Sequence, residues 1–346
     1  MRLFAHHDRQ QVEIFCYAET TAPDSTTAQF QARADGWRWT AGLDDADVAA
    51  QIRSDRIDLL VDLAGHTAGN RLTALAWKPA PVQITYLGYP STTGLATIDY
   101  RLTDAVADPP GEPQCHTEAL VRLPLMSCYQ APDHAPPVSP LPALSSGGIT
   151  FGSLNNLAKL NPRVIDVWCA VLRAVPSGRL LIFRNTLKGS AQEHLHGQLV
   201  EKGISPDRFQ LTNTVPSGQS YLSVYDSVDV ALDPFPWSGH TTTCEALWMG
   251  APVVTLYGNR YAGRMAACAL TALGLTQFIA QSAEDYVAIA ADWASRLDRL
   301  ARLRDELRGR MQASPLCDGK SFTRALEQTY RDLWRRWCTQ TVAPVS

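Results

Sequence analysis

The chain has 346 residues, of which 45% are hydrophobic and 19% charged, so it is long enough for two globular domains and is not disordered. Its formal net charge of −3 and the lack of a long lysine or arginine run predict that it binds no nucleic acid. No apolar run reaches the about 18 residues needed to span a bilayer, and the start MRLFAHHDRQ lacks the apolar core of a signal peptide, so we expect a cytoplasmic protein without membrane contact.

The first part of the chain alternates between predicted strands and predicted helices. Residues 44–55 (DDADVAAQIRSD) and 68–78 (AGNRLTALAWK) repeat apolar positions at helical spacing. Apolar, β-branched runs predict four buried strands, at residues 12–18, 56–65, 81–88 and 99–104. Because βα repeats form parallel sheets covered by helices, we assign residues 1–130 to a first Rossmann-like lobe.

A proline-rich region follows. The stretches DPPGEPQ (108–114) and APDHAPPVSPLPALSSGG (131–148) are dense in proline, which removes a backbone donor and breaks regular elements. We therefore predict no regular element in either stretch and take residues 131–148 as the linker between two lobes.

A second alternation begins at residue 149. Its predicted strands lie at residues 149–156, 179–184, 208–212, 228–234 and 251–258. Its predicted helices lie at residues 163–175, 190–203, 218–227 and 264–274, and a helical run over 282–311 follows. We assign residues 149–315 to a second Rossmann-like lobe and residues 316–346 to a C-terminal helix.

The stretch DPFPWSGHTTTCEALWMG contains the first candidate site. It joins a predicted strand to a predicted helix, and in open α/β sheets ligands bind beyond the carboxyl ends of the strands. A helix N-terminus presents unpaired N–H groups and partial positive charge, so the backbone at Gly239 and the side chains of His240, Thr241 and Thr242 can bind a diphosphate. The spacing Thr242-x-x-Glu245 also fits a capping box, which would satisfy the helix end without a ligand.

Two further candidate sites follow other predicted strands. In FGSLNNLAKLNP, the residues Asn155, Asn156 and Lys159 come after a strand, and a lysine there can neutralise a phosphate or simply be a solvated loop residue. Arg184 ends the next strand and brings another cation to the same edge of the sheet. In DLAGHTAGNR of the first lobe, His66 follows a strand and is a candidate general base, with a purely structural hydrogen bond as the alternative.

Signals for a metal or a redox cofactor are weak. The D-x-D of DDADV resembles a metal-binding pair, but its position at a helix start favours acidic capping. The eight cysteines include no C-x-x-C pair, which argues against a zinc site or a disulfide framework. The sequence also lacks a dinucleotide-binding glycine fingerprint, a Walker sequence and a G-x-S-x-G elbow, so oxidoreductase, ATPase and esterase chemistry lose support.

Three long segments together resemble the catalytic region of glycosyltransferase family 41, which comprises the protein O-linked N-acetylglucosamine transferases and the SPINDLY proteins. They are residues 62–111, 151–176 and 232–256, and they follow the order of the family over nearly the whole chain. The resemblance implies a GT-B fold, in which two Rossmann-like lobes with parallel sheets face a central cleft. It further implies that the second lobe holds a nucleotide sugar and that the acceptor enters between the lobes.

The resemblance also implies roles for single residues. Lys159 matches the family lysine that stabilises the diphosphate leaving group, and the His-Thr-Thr that starts the following helix matches the phosphate-binding turn. Glu245 matches an acidic residue on the nucleotide ribose, and Asn156 matches a side chain that approaches the nucleotide. Tyr221 stands where the N-acetylglucosamine transferases usually have a histidine that contacts the base.

The activity implied is inverting transfer of N-acetylglucosamine from UDP-N-acetylglucosamine to serine or threonine hydroxyls of a protein acceptor. A lysine and a helix N-terminus can stabilise the departing diphosphate, so we expect no metal and no cofactor. Two alternatives stay open: GDP-fucose as the donor, as in the SPINDLY branch, or a catalytically silent fragment that binds nucleotide sugars.

The chain differs from the family pattern at its start. It begins almost at the segment FAHHDRQQVEIFCYA, whereas the family has an upstream strand with a histidine-containing loop and, before that, tetratricopeptide repeats. We therefore expect the first sheet to lack a strand. The sequence predicts no oligomeric state.

Overall fold

The computed structural model describes residues 2–113, 115–215 and 217–342. The chain forms two compact units, one made of residues 1–130 with 318–346 and the other of residues 131–317. Among the described residues, none of the helices is both long enough and apolar enough to cross a bilayer.

In its described residues, the first unit contains six parallel strands in two sheets. One sheet pairs β1 (Phe15–Ala18) with β2 (Gly36–Trp39). The other has the order β3 (Leu59–Asp62), β4 (Val82–Thr85), β5 (Tyr100–Thr103) and β6 (Ala119–Arg122). The helices that connect them are α1 (Arg2–His6), α2 (Ser25–Gln31), α3 (Asp45–Ser54) and α4 (Leu72–Ala76).

The four strands predicted for this unit and its two predicted helices are confirmed as β1, β3, β4, β5, α3 and α4, and all of them except the partly buried β1 contribute buried residues. Strand β4 is buried at all four positions, and α3 buries Val48, Ala49 and Ile52 against the core. The prediction missed β2 and β6. Both strands have exposed ends, Trp39 in β2 and Ala119 and Arg122 in β6, so neither reads as a buried apolar run in the sequence.

The part of the second unit that the structure describes contains one six-stranded parallel sheet. Its strands are β7 (Thr150–Ser153), β8 (Arg179–Phe183), β9 (Phe209–Thr212), β10 (Val230–Leu232), β11 (Val253–Leu256) and β12 (Ile279–Ala280). Its helices are α5 (Ala143–Ser146), α6 (Pro162–Ala174), α7 (Ser190–Glu201), α8 (Thr241–Trp248), α9 (Met265–Ala272), α10 (Ala283–Ala294) and α11 (Leu297–Ala313). The predicted βα alternation of this region is confirmed.

The order of the strands in this sheet determines where a ligand site can form. The sheet runs β9-β8-β7-β10-β11-β12, so consecutive strands extend in one direction from β7 and in the other from β10. This is the doubly wound order, and its crevice opens at the carboxyl ends of the two strands where the direction reverses. Both β7 and β10 lead directly into segments that the sequence marks as candidate sites.

Four details of the second unit differ from the sequence prediction. The short strand β12 (Ile279–Ala280) was not predicted. Residues predicted as a helix over 218–227 form a 3₁₀ helix over Tyr221–Ser227. The helical run over 282–311 is interrupted between α10 and α11. The prediction of no regular element in the proline-rich stretch was wrong at α5, because Pro142 precedes its first turn and the Asp229 carboxylate accepts the N–H of Ala143 at 2.8 Å.

The C-terminal helix α12 (Gly319–Val342) belongs to the first unit. Its buried side chains Phe322, Leu326 and Leu333 pack in one cluster with Ile84 of β4 and Leu102 of β5. The helix therefore covers a face of the sheet formed by β3, β4, β5 and β6, although about two hundred residues of the chain separate the helix from that sheet.

Candidate functional site

The main candidate site lies at the carboxyl ends of β7 and β10 in the second unit. After β10 the chain passes through Asp233 and a turn at Ser238 and Gly239, and then enters α8. After β7 it passes through Asn155 and a 3₁₀ helix over Leu157–Lys159. The two segments meet, because the Nζ of Lys159 donates a hydrogen bond to the carbonyl oxygen of Ser238 at 2.8 Å.

The start of α8 is not capped by its N-cap side chain. His240 is the N-cap residue, and its side chain makes no capping hydrogen bond. The capping box at Thr242-x-x-Glu245 was the wrong interpretation, because the N-cap residue is His240, two residues before Thr242, and Glu245 is the fifth residue of the helix, held by Tyr221 instead. Thr241 is exposed and Thr242 is partly exposed. An uncapped helix start with flanking hydroxyls is suited to an anion.

Gly239 is crowded by polar atoms. A Cβ at this position would lie 2.7 Å from the Thr243 hydroxyl and 3.1 Å from the Asn155 side-chain oxygen. Both of these atoms are buried and have no hydrogen-bond partner among the described residues. Two unpaired polar atoms beside an uncapped helix start are consistent with a polar ligand, since buried polar groups in proteins are normally paired.

A buried carboxylate, which the sequence reasoning missed, holds the turn before α8. Asp233 is 1% exposed, and its carboxylate accepts the N–H of Gly239 at 2.6 Å and the hydroxyl of Thr255 at 2.7 Å. Burial raises the pKa of Asp233 to about 6, while its hydrogen bonds and the nearby Lys159 act in the opposite direction. An aspartate at the end of a predicted strand, as in LDPFP, was the available signal.

Lys159 and Arg184 bring positive charge to this site. Lys159 is partly buried, and burial lowers the pKa of its amine, with Asp233 opposing the effect. Arg184 donates to the carbonyl oxygen of Leu154 at 3.4 Å. Two asparagines lie between β7 and Lys159, and the first of them, Asn155, is buried. Asn156 is exposed and its side chain accepts the N–H of Ala158 at 3.1 Å, so it caps the 3₁₀ helix locally.

Tyr221 and Glu245 form a hydrogen-bonded pair beside α8. The Tyr221 hydroxyl donates to the Glu245 carboxylate, whose residue is 9% exposed, whereas Tyr221 itself is 44% exposed. Burial raises the pKa of Glu245, and the hydrogen bond from Tyr221 and the charge of Arg184 act against that rise. Burial and the adjacent carboxylate raise the pKa of the Tyr221 phenol. The pair therefore presents an ordered carboxylate next to an accessible aromatic ring.

His66 lies in the first unit, in the loop that follows β3. Its imidazole is exposed and contacts the Tyr89 ring edge to face, with 5.2 Å between the centroids. The Asp62 carboxylate accepts the N–H of Gly65 at 3.0 Å, which holds the loop directly before the histidine. An accessible imidazole at the carboxyl end of a strand is a suitable position for a proton acceptor.

The acidic stretch in the first unit caps a helix, as its position predicts. Asp44 is the N-cap residue of α3 and accepts the N–H of Asp47 at 2.8 Å. Over the described ranges, no group of three or more histidine, cysteine, aspartate or glutamate side chains is arranged to hold a metal ion.

The two α/β units with parallel sheets, and a site at the switch point of the second sheet, have the fold of the GT-B glycosyltransferases. An O-GlcNAc transferase mutant from Thermobaculum terrenum superposes with a TM-score of 0.90 and 37% identity, over 99% of this chain and 65% of that protein. The Anabaena protein HepE, solved with UDP and glucose, has a TM-score of 0.56 at 11% identity over 96% of this chain, so it shares the fold alone.

The chain belongs to glycosyl transferase family 41, whose sequence model matches residues 2–139 and 140–326. A rice protein named probable UDP-N-acetylglucosamine–peptide N-acetylglucosaminyltransferase SPINDLY is 44% identical over 340 residues, which are 96% of this chain. The Arabidopsis thaliana protein SEC, with the same probable activity in its name, is 31% identical over 351 residues. The chain spans 37% of the rice protein and 35% of the Arabidopsis one, so it covers about a third of the length of these relatives.

Proposed function

We propose that the chain catalyses inverting transfer of N-acetylglucosamine from UDP-N-acetylglucosamine to serine or threonine hydroxyls of a protein acceptor. Relatives named for this activity match nearly the whole chain, which supports the proposal. The observation that carries it is the uncapped start of α8 with the Lys159 amine 2.8 Å from the carbonyl oxygen of Ser238, two residues before the cap. The positive charge of Lys159 therefore lies next to the segment that presents the N–H groups of the helix start.

In the proposed complex the donor diphosphate lies on the first turn of α8. The N–H groups that follow Gly239 in the first turn of the helix, the hydroxyls of Thr241 and Thr242, and the ring of His240 bind its oxygens. The bond between the anomeric carbon and the β-phosphate oxygen breaks, and UDP leaves with its electron pair. Lys159 and the helix N-terminus stabilise the charge that develops on the phosphate, so the proposed reaction asks for no metal or other cofactor.

The nucleoside is proposed to lie along Tyr221 and Glu245. The Glu245 carboxylate, which already accepts one hydrogen bond from Tyr221, has a second oxygen that can accept from a ribose hydroxyl. The accessible Tyr221 ring can stack on the base. Asn156 is exposed in the segment after β7, the strand next to β10, and can approach the nucleotide from that side.

The acceptor hydroxyl must lose its proton as its oxygen bonds to the anomeric carbon. His66 is our candidate for the group that takes up this proton, because it is an accessible imidazole. The acceptor protein is identified only by its hydroxyl group. A cytoplasmic location without membrane or nucleic-acid contact stays a prediction from the sequence.

The test is a turnover assay with labelled UDP-N-acetylglucosamine and a serine-rich acceptor, on wild type and Lys159→Ala. We expect transfer to fall by about a hundredfold or more, as for the loss of one donor group to a developing anion. The matched control is Lys202→Ala, which removes a lysine of the same unit that pairs with Asp166 on the surface. An unchanged turnover number in Lys159→Ala refutes the role, and binding of donor by wild type without transfer indicates a silent binding module.

GDP-fucose is the second candidate donor, and Tyr221 favours it. The ring at this position stands where a base-contacting histidine is expected in the N-acetylglucosamine transferases, and a purine offers a larger face to an aromatic ring than uracil does. Calorimetry with UDP and GDP compares the two donors directly. Tighter binding of GDP than of UDP, together with fucose transfer, would replace the leading proposal.

A further inference from the structure

The same local arrangement occurs in both units. Gly65-His66-Thr67 follows β3, and Gly239-His240-Thr241 follows β10. In each case an aspartate stands at the end of the strand and precedes the Gly-His-Thr sequence by a few residues. We refer to the two segments as the Gly-His-Thr loops.

Each aspartate makes the same pair of hydrogen bonds. Asp62 accepts the N–H of Gly65 at 3.0 Å and the hydroxyl of Thr85 at 2.8 Å. Asp233 accepts the N–H of Gly239 at 2.6 Å and the hydroxyl of Thr255 at 2.7 Å. Both aspartates are buried, at 8% and 1% exposure. A carboxylate with these two donors is strongly bonded, since charge-assisted hydrogen bonds are shorter and stronger than neutral ones.

The register of the strands explains why the threonines are in reach. Asp62 of β3 is the register partner of Thr85 in β4. In the second unit Leu232 pairs with Val254, so the next residues along the two strands, Asp233 and Thr255, lie side by side. The two arrangements therefore share their position at the carboxyl edge of a parallel strand pair as well as their hydrogen bonds.

In each loop, both the carbonyl oxygen and the N–H of one peptide group are hydrogen-bonded. In the second unit, Lys159 donates to the carbonyl oxygen of Ser238 while Asp233 accepts the N–H of Gly239, and these two atoms belong to the same peptide group. In the first unit, the carbonyl oxygen of Ala64 accepts from both the N–H and the hydroxyl of Thr67, and Asp62 accepts the N–H of Gly65. The peptide group that joins the glycine of each Gly-His-Thr loop to the residue before it therefore has a defined orientation.

We propose that Asp62 and Asp233 are positioning residues that set the two Gly-His-Thr loops for their ligands, the second loop for the donor diphosphate and the first for the acceptor hydroxyl. The inference rests on the proposed function and goes beyond it by assigning two residues that need not touch either substrate. Asp233 acts through the Gly239 N–H and the start of α8. Asp62 acts through the Gly65 N–H and the placement of His66.

The test for the second loop compares two buried aspartates of the same segment. Asp233→Ala removes the acceptor at the carboxyl end of β10. Asp229→Ala removes a buried acceptor at its amino end, where Asp229 accepts from Ala143 and Thr150 at 2.8 and 2.7 Å. We expect UDP-N-acetylglucosamine affinity, measured by calorimetry, to fall by about tenfold to a hundredfold in Asp233→Ala. Asp229→Ala should keep its donor affinity within about twofold, although it loses stability as well.

Asp233→Asn is the conservative variant that separates positioning from general damage. Its side-chain oxygen can still accept the Gly239 N–H, so we expect donor affinity within about fivefold of wild type. Equal donor affinity in wild type and Asp233→Ala overturns the proposal, and so does an equal loss in Asp229→Ala. If wild type binds no sugar nucleotide at all, the proposed function fails and the two failures are distinguished.

The test for the first loop uses the kinetics of transfer. Asp62→Ala should lower kcat by about tenfold or more while the donor KM stays within about twofold. Its control is Asp99→Ala at the amino side of β5, where Asp99 accepts the N–H of Gln83 at 2.7 Å. Asp62→Asn, which keeps an acceptor for Gly65, should recover most of kcat. An unchanged kcat in Asp62→Ala, or a rise in donor KM alone, contradicts the assignment.

Discussion

The second unit of Asp233→Asn should become more stable relative to the wild-type unit as the pH rises. The wild-type carboxylate is 1% exposed, and burial raises its pKa to about 6 from the 3.8 of a free aspartate. Between these two values the folded chain holds a proton that the unfolded chain has lost, so wild-type stability falls as pH increases. The charged and titratable groups that face Asp233 are Lys159 and Tyr286, and the variant retains both residues.

The size of this effect follows from the two pKa values. The difference corresponds to about 3 kcal/mol when the carboxylate is fully ionised in both states. At pH 5 the unfolded aspartate is already ionised and the folded one is still protonated, so roughly half of that loss has occurred. The remainder, about 1.4 kcal/mol, is lost between pH 5 and pH 8. An asparagine has no charge to bury and loses nothing over this range.

Hydrogen exchange of peptides from residues 131–317, measured at pH 5 and pH 8 and corrected for intrinsic rates, gives the opening free energy of the second unit alone. The quantity compared is the difference between Asp233→Asn and wild type at each pH, because all other titrating groups cancel in it. We expect this difference to shift in favour of the variant by about 1.4 kcal/mol from pH 5 to pH 8. A constant difference, or one that shifts in favour of wild type, refutes the reasoning.

Three other substitutions test neighbouring parts of the site. Gly239→Ala would place a methyl group 2.7 Å from the Thr243 hydroxyl, so we expect donor affinity to fall by about tenfold or more in calorimetry with the fold retained by circular dichroism. Tyr221→Phe removes the hydrogen bond that lowers the pKa of Glu245, so the acid limb of donor binding should move to higher pH, with about 1 kcal/mol lost in urea unfolding. Arg304→Met leaves three carbonyl oxygens without their buried guanidinium, which should cost at least about 3 kcal/mol in urea unfolding. A pH profile of Tyr221→Phe that superposes on wild type, or an Arg304→Met variant as stable as wild type, would contradict these expectations.

The sequence by itself determined the class of fold and which segments form the candidate site. A buried strand and an amphipathic helix each have a local sequence pattern, so both can be recognised from the sequence. Their regular alternation along the chain then predicts parallel sheets. The start of α6 also follows from local sequence, since Asn161 caps it and Pro162 occupies its first turn. The segments after β7 and β10 could be placed at one edge of the sheet for the same reason, since carboxyl ends of parallel strands share an edge.

Only the tertiary structure decided which atoms of these segments meet. Lys159 and Ser238 are 79 residues apart, and Asp233 and Thr255 are joined by the register of two strands, which no local pattern encodes. The capping-box spacing was misleading because the first residue of α8 depends on how the turn at Gly239 is held, and a distant lysine and a buried carboxylate hold it. Hydrogen bonds between remote segments are set by packing, so the chemistry of the site emerges only when the sheet is assembled.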